Sequence, residues 1–189
     1  MKYLELRMAG AGGHGIVFAG RLLGHALTMA NYIVTLRPHY SPAQRGGWSK
    51  VDMVVSRSID VPPVLEAPHI FVVTLQSLYE DEIQNVASGG FVLFDEETVK
   101  PEPTRSDVEY LPLPLFKLSQ QITGNRRFAN SVLVGILAAA TKLVSLEHLV
   151  NALDLVGARN IEENRKALEA GYRYAEEHGI SIPVSKFMD

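Results

Sequence analysis

The chain contains no cysteine among its 189 residues. That absence excludes disulfides, Cys-ligated iron–sulfur clusters, Cys zinc sites and thiol nucleophiles. Excess charge is missing too. Lys and Arg number 18 against 21 Asp and Glu, a net charge of −3, and no basic cluster marks a nucleic-acid or anionic-membrane surface. The longest apolar run, Val132 to Ala140, falls far short of the ~20 residues that cross a bilayer. Glu5 and Arg7 interrupt the amino-terminal apolar stretch, so it does not read as a secretory signal. The expectation is a cytoplasmic protein with no membrane span and no nucleic-acid partner. A hydrophobic content of 47% at this length is enough for one core, so residues 1–189 are read as a single domain.

What is present is an alternation of strand and helix patterns. Strands are expected over Tyr3–Ala9, Tyr32–Leu36 (ending before Pro38), Trp48–Ser56, Ile70–Leu75, Phe91–Phe94 and Val108–Leu113. Helices are expected over Ile16–Ala30 and Ser77–Ala87, and in the last third over Leu115–Thr123, Ala129–Lys142, Ser145–Val156 and Ile161–His178. The last carries Glu162→Lys166 and Glu169→Arg173 at i,i+4 spacing. Arg37–Gly47 reads as a structured loop and Asp95–Asp107 as a surface excursion. The alternation predicts an α/β fold: a Rossmann-like, mainly parallel sheet with helices on both faces and a helical carboxy-terminal third.

Between the first strand and first helix lies Gly10-Ala11-Gly12-Gly13-His14-Gly15, which fits G-x-G-x-x-G. Such a turn brings backbone N–H groups to a helix N-terminus, where an anion or a partner's backbone approaches closely. A NAD site also wants Asp or Glu at the end of the second strand, to hold the ribose. Here that strand ends Thr35-Leu36-Arg37-Pro38-His39. Arg37 suits a 2′-phosphate, so a stand-alone NADP-linked oxidoreductase stays open as the alternative. A nucleotide-sensing or scaffolding domain without activity is a third reading. His14 stands at the positive end of a helix, which disfavours its protonation, and no local partner equips it for catalysis. The other histidines lack metal-ligand spacing.

A second loop, Tyr40-Ser41-Pro42-Ala43-Gln44-Arg45-Gly46-Gly47, comes after the second strand. In a parallel sheet both loops lie at the carboxyl ends of strands, where ligands and partners bind. Arg45 beside two glycines suits phosphate or carboxylate; equally, the glycines serve a turn and Arg45 pairs with a local carboxylate.

Taken together, and in this order, the two loops resemble the gamma subunit of 2-oxoacid:ferredoxin (acceptor) oxidoreductases. That family carries G-x-G-G-Q-G after its first strand and Y-G-P-x-x-R-G-G after its second. Gly10, Gly12, Gly13 and Gly15 match the first motif, and Tyr40, Pro42, Arg45, Gly46 and Gly47 the second. Asn130-Ser131-Val132-Leu133-Val134-Gly135 resembles the family's N-x-x-x-x-G helix start. His14 replaces the family's Gln and Ser41 its usual Gly. The resemblance implies a non-redox subunit of a complex that oxidatively decarboxylates a 2-oxoacid to acyl-CoA. Thiamine diphosphate, Mg and iron–sulfur clusters would then sit in alpha, beta and possibly delta partners. CoA would be co-substrate, and ferredoxin or another carrier the electron acceptor. The implied site residues are those of the two loops, including His14, with no catalytic or metal-binding residue in this chain.

Overall fold

A computed structural model of the chain describes residues 3–42 and 47–188. Strands β1 (Leu4–Ala11), β2 (Ile33–Tyr40), β3 (Trp48–Ser56), β4 (Ile70–Val73), β5 (Phe91–Asp95) and β6 (Glu109–Leu113) form one sheet in the order β2-β3-β1-β4-β5-β6. β1, β4, β5 and β6 pair in parallel. β3 runs antiparallel to β1, and β2 antiparallel to β3. β2 therefore points the same way as β1, and the mainly parallel sheet holds with β3 as its one reversed strand.

Helices cover both faces unequally. On one face lie α1 (Ile16–Met29), α3 (Leu115–Thr123), α4 (Ala129–Thr141), α5 (Leu146–Leu155) and α6 (Ile161–Glu177), packed in the larger core with Leu4, Leu6 and Met8 of β1. α2 (Gln76–Glu82) and a 3-10 turn, Ile83–Asn85, pack on the other face against Phe71, Val73, Val92 and Phe94. The alternation of β1 sends Leu4, Leu6 and Met8 one way and Glu5, Arg7 and Ala9 the other. A short α7 (Ser185–Met188) ends the described chain, where the sequence pattern suggests no helix. No helix among the described residues is long and apolar enough to cross a membrane.

Several expected boundaries move for physical reasons. β2 does not stop before Pro38 but runs to Tyr40, because it is the edge strand and a missing N–H there costs no ladder bond. The expected Arg37–Gly47 loop therefore starts no earlier than Ser41, and residues 43–46 of it lie outside the described residues. Asp95–Asp107 is not wholly a surface excursion, since Asp95 and Val99 are fully buried. Asp95 ends β5 and its carboxylate accepts from the backbone N–H of Glu97, Thr98 and Phe116. On α6, Arg165 pairs with Glu162 and Glu169, in place of the expected Glu162–Lys166 and Glu169–Arg173 pairs. Glu5 is buried and binds the strap ahead of β4, accepting from Glu66 N at 2.7 Å and Ala67 N at 3.0 Å.

In the helical layer α4 and α6 approach backbone to backbone. A Cβ on Gly171 would fall 2.0 Å from the Val132 carbonyl oxygen, and one on Gly135 would fall 2.2 Å from that of Leu168. The two backbones touch, and only hydrogen fits at either point. Gly171→Ala must separate helices that are sealed by apolar side chains on both sides. The expected loss is about 1–3 kcal/mol, the cost of overpacking, read as a lowered urea midpoint. An unchanged midpoint would show that the helices part freely.

Candidate functional site

The two glycine-bearing loops meet at one end of the sheet because β3 lies between β1 and β2. Ala11 stands opposite Trp48 in the ladder, and Tyr40 opposite Ser49. Gly12 N donates to the Gly47 carbonyl at 2.7 Å, and Ser41 N to that of Trp48 at 2.9 Å. Gly10, Gly12, Gly13, His14, Gly15, Tyr40, Pro42 and Gly47 thus share one end of the sheet. Arg45 and Gly46 lie outside the described residues. Tyr40 is left 64% exposed, a large aromatic in water at the lip of this end.

The glycines are fixed by their neighbours. Gly15 caps α1 at φ 75°, the left-handed region that glycine enters without strain. Any side chain there would also meet Asn130, whose Nδ2 lies 1.9 Å from the position of a Cβ. At Gly10 a Cβ would fall 2.3 Å from Thr74 Oγ1. That hydroxyl is the partner the local sequence did not supply for His14: Nδ1 and Oγ1 are 2.9 Å apart. The imidazole also meets the Phe116 ring edge-on, centroids 4.8 Å apart.

Burial pulls the His14 pKa below its ordinary value; nearby Asp95 opposes the shift and Arg126 adds to it. His14 is therefore a neutral hydrogen-bonding group at pH 7, as the turn position suggests, but desolvation is the larger cause. Arg126 lies over the same Phe116 ring at 5.0 Å and pairs with Glu97 at 2.5 Å.

A charged cluster, which sequence pattern alone did not reveal, lies beside this end on the α2 face. Arg7 grips Asp52 with two contacts, Nε to Oδ1 at 2.7 Å and Nη2 to Oδ2 at 2.9 Å, and reaches Glu82 at 2.5 Å. Lys50 binds the other Glu82 oxygen at 2.5 Å and sits over the Trp48 ring at 4.8 Å. His39 Nε2 is 3.1 Å from Asp52 Oδ2. Burial pushes the Glu82 carboxyl up, but Lys50, Asn85 and Arg7 outweigh it and hold the pKa below the ordinary carboxylate value. The cluster ties α2 to β1 and β3. Its one sequence signal is polar residues at alternate strand positions, which becomes a cluster only once β1 and β3 are known to pair.

The geometry corrects the dinucleotide alternative. In a dinucleotide site the residue that reads the ribose ends the strand beside β1. Here β3 occupies that place, and Arg37 of β2 is two strands away, roughly 10 Å across the sheet. Among the described residues no group of three or more His, Asp or Glu is disposed to hold a metal ion.

Acidification tests the His14 environment. With its folded pKa below the unfolded value of about 6.5, the unfolded chain binds the proton first. His14 therefore adds full stability above that value and loses it as pH falls through the folded pKa. His14→Gln keeps an amide for Thr74 but cannot titrate. Urea melts at pH 7.5 and 5.5 should show the variant losing less stability than the native chain. Equal losses would place the proton uptake elsewhere.

Known proteins resemble this one along nearly its whole length. A sequence profile described as pyruvate ferredoxin/flavodoxin oxidoreductase matches residues 5–174. The 2-oxoglutarate synthase subunit KorC of Methanocaldococcus jannaschii is 34% identical over 177 residues, 92% of this chain and 94% of that one. In fold, the chain superposes with TM-score 0.85 on 2-oxoglutarate:ferredoxin oxidoreductase from Magnetococcus marinus, solved with 2-oxoglutarate, coenzyme A and succinyl-CoA bound. That match has 21% identity and covers 97% of this chain but only 32% of the other. The gamma subunit of the keto/oxoacid ferredoxin oxidoreductase from Geobacter sulfurreducens PCA gives TM-score 0.74 at 24% identity, with 92% and 99% coverage.

Proposed function

The chain belongs to the pyruvate ferredoxin/flavodoxin oxidoreductase family, as a gamma-type subunit of a 2-oxoacid:ferredoxin oxidoreductase, and from that premise we propose that it works by presenting surfaces rather than by reacting. Oxidative decarboxylation of a 2-oxoacid to acyl-CoA yields two electrons that one-electron clusters must carry away. A chain without cysteine offers no thiolate for such clusters, so they fall to alpha, beta or delta partners. We assign thiamine diphosphate and its Mg to those partners too; when bound there, thiamine diphosphate supplies the carbanion chemistry of decarboxylation. CoA is the proposed co-substrate and ferredoxin the acceptor of the assembled enzyme.

One observation carries this reading: the Gly12–Gly47 contact joins the two glycine-bearing loops next to an exposed aromatic at one end of the sheet. Backbone amides and a stiff aromatic suit docking. We propose that Tyr40–Gly47 and the Gly10–Gly15 turn face a partner subunit or the CoA entrance. The relationship to KorC makes 2-oxoglutarate the first substrate to assay.

Two outcomes are expected. The purified chain, given 2-oxoglutarate, CoA, thiamine diphosphate, Mg²⁺ and a viologen dye, should reduce no dye, and should support turnover only with its partner subunits. Turnover by the chain alone would sink the subunit reading. Tyr40→Ala should change the stability of the isolated chain by no more than about 0.5 kcal/mol, as an exposed substitution does. It should weaken capture by immobilised partner subunits, or raise the KM for CoA, by about 2 kcal/mol if Tyr40 is an interface anchor. Native assembly and kinetics in the variant would remove this end of the sheet from the interface.

A further inference from the structure

The glycine turn has a second side. Gly12 faces the Gly47 carbonyl, whereas Gly13 and Gly15 line a cavity of about 350 Å³ on the helical face, shared with Arg127, Asn130, Arg159 and Asn160. We infer that this cavity binds a small phosphate-bearing molecule, held between the Arg127 and Arg159 guanidinium groups. The site shares Gly13 and Gly15 with the turn proposed above to face a partner or the CoA entrance; its test, phosphate binding by the isolated chain, succeeds or fails independently of that reading.

The argument begins with charge. No Asp or Glu lines the cavity, and neither arginine is ion-paired among the described residues, although Arg126, next in the chain, pairs with Glu97. Two uncompensated guanidinium groups lining one concavity repel each other, and an anion between them relieves that repulsion. Each presents a planar fork matched to phosphate oxygens.

The remaining polar groups are chiefly donors. Asn130 Oδ1 already accepts from Ser131 N at 2.7 Å, which leaves its Nδ2, over Gly15, to give. The first amides of α1 lack intrahelical acceptors, and no acidic side chain stands in that helix's first turn. A carboxylate has one charge and two oxygens. A phosphoryl group brings close to two charges and three oxygens, which is what two forks and a set of amides would satisfy.

The far wall is held in place without a ligand. Buried Asn164 donates to the Arg159 carbonyl at 2.7 Å and the Asn160 carbonyl at 3.1 Å, and accepts from Ser131 Oγ at 2.6 Å. That network fixes the turn carrying Arg159 against α4, the helix that also carries Asn130. Little ordering is left for binding to impose.

The test is an amide NMR titration of the full chain at pH 7.5 with inorganic phosphate, and separately with acetate, each against sodium chloride of equal ionic strength. Phosphate should give saturable shifts confined to residues 13–18, 127–131 and 157–161. The Arg127→Gln/Arg159→Gln double variant should weaken that binding at least about tenfold. Asn130→Asp, isosteric and favourable at a helix start, should abolish it by placing a carboxylate over Gly15. Shifts that rise linearly without saturation would overturn the site. So would shifts centred elsewhere, unchanged affinity in both variants, or acetate binding as tightly as phosphate.

Discussion

The arrangement of this end of the molecule depends on one reversed strand and the hydrogen bond it makes possible. β3 enters the sheet antiparallel between β1 and β2, so its first residues lie beside the last residues of both neighbours. From there Gly47 offers its carbonyl to the Gly12 N–H at 2.7 Å. A wholly parallel arrangement would place the start of the third strand at the opposite end, and the two loops would have no contact. The same insertion moves Arg37 to the edge of the sheet, which removes the ribose-reading position that a dinucleotide site requires. One topological choice thus removes a dinucleotide use of the glycine turn and brings the two loops into contact.

Holding β3 there requires a solution for the face not covered by the large helices. Arg7, Lys50, Asp52 and Glu82 fill it with charge, and each carboxylate oxygen of Asp52 and Glu82 meets a cation or a donor. Buried pairs of this kind add little net stability over an apolar packing, but removing one member leaves an uncompensated charge. The cluster therefore penalises any register in which Arg7 fails to meet Asp52. It also couples α2 to the strand that opens beside Trp48. The lowered pKa of Glu82 means that this coupling is complete above the ordinary carboxylate range and is lost as pH falls through the folded value.

Local pattern made the helices and most strands legible, down to the start of α5 at Ser145, whose hydroxyl caps it by accepting from His148 N. It failed where the answer lay in pairing. Pro38 looked like a strand end because nothing in the chain marks β2 as an edge. Asp95 looked like the start of a polar excursion because the N–H groups its carboxylate accepts from, those of Glu97, Thr98 and Phe116, belong to turns that only the fold brings round it. His14 lacked a partner because Thr74 is sixty positions distant and becomes a neighbour only through the β1–β4 pairing. The loop motifs were legible as motifs. Their contact was not, because it needs the reversed strand.

The glycines of the first turn are held by different constraints. At Gly15 both the left-handed backbone and the Asn130 amide exclude a side chain; at Gly10 the Thr74 hydroxyl does. These are requirements of the fold itself. Gly13 is different: its φ of 91° favours glycine, but a Cβ there would meet nothing within 4 Å. Packing does not demand bare backbone at that point; the backbone conformation does. The turn thus divides into glycines that seat α1 against β1, β4 and α4, and one that leaves an approach clear. At Gly13 a substitution would cost backbone strain alone, whereas at Gly10 it would force packed side chains apart and at Gly15 it would do both.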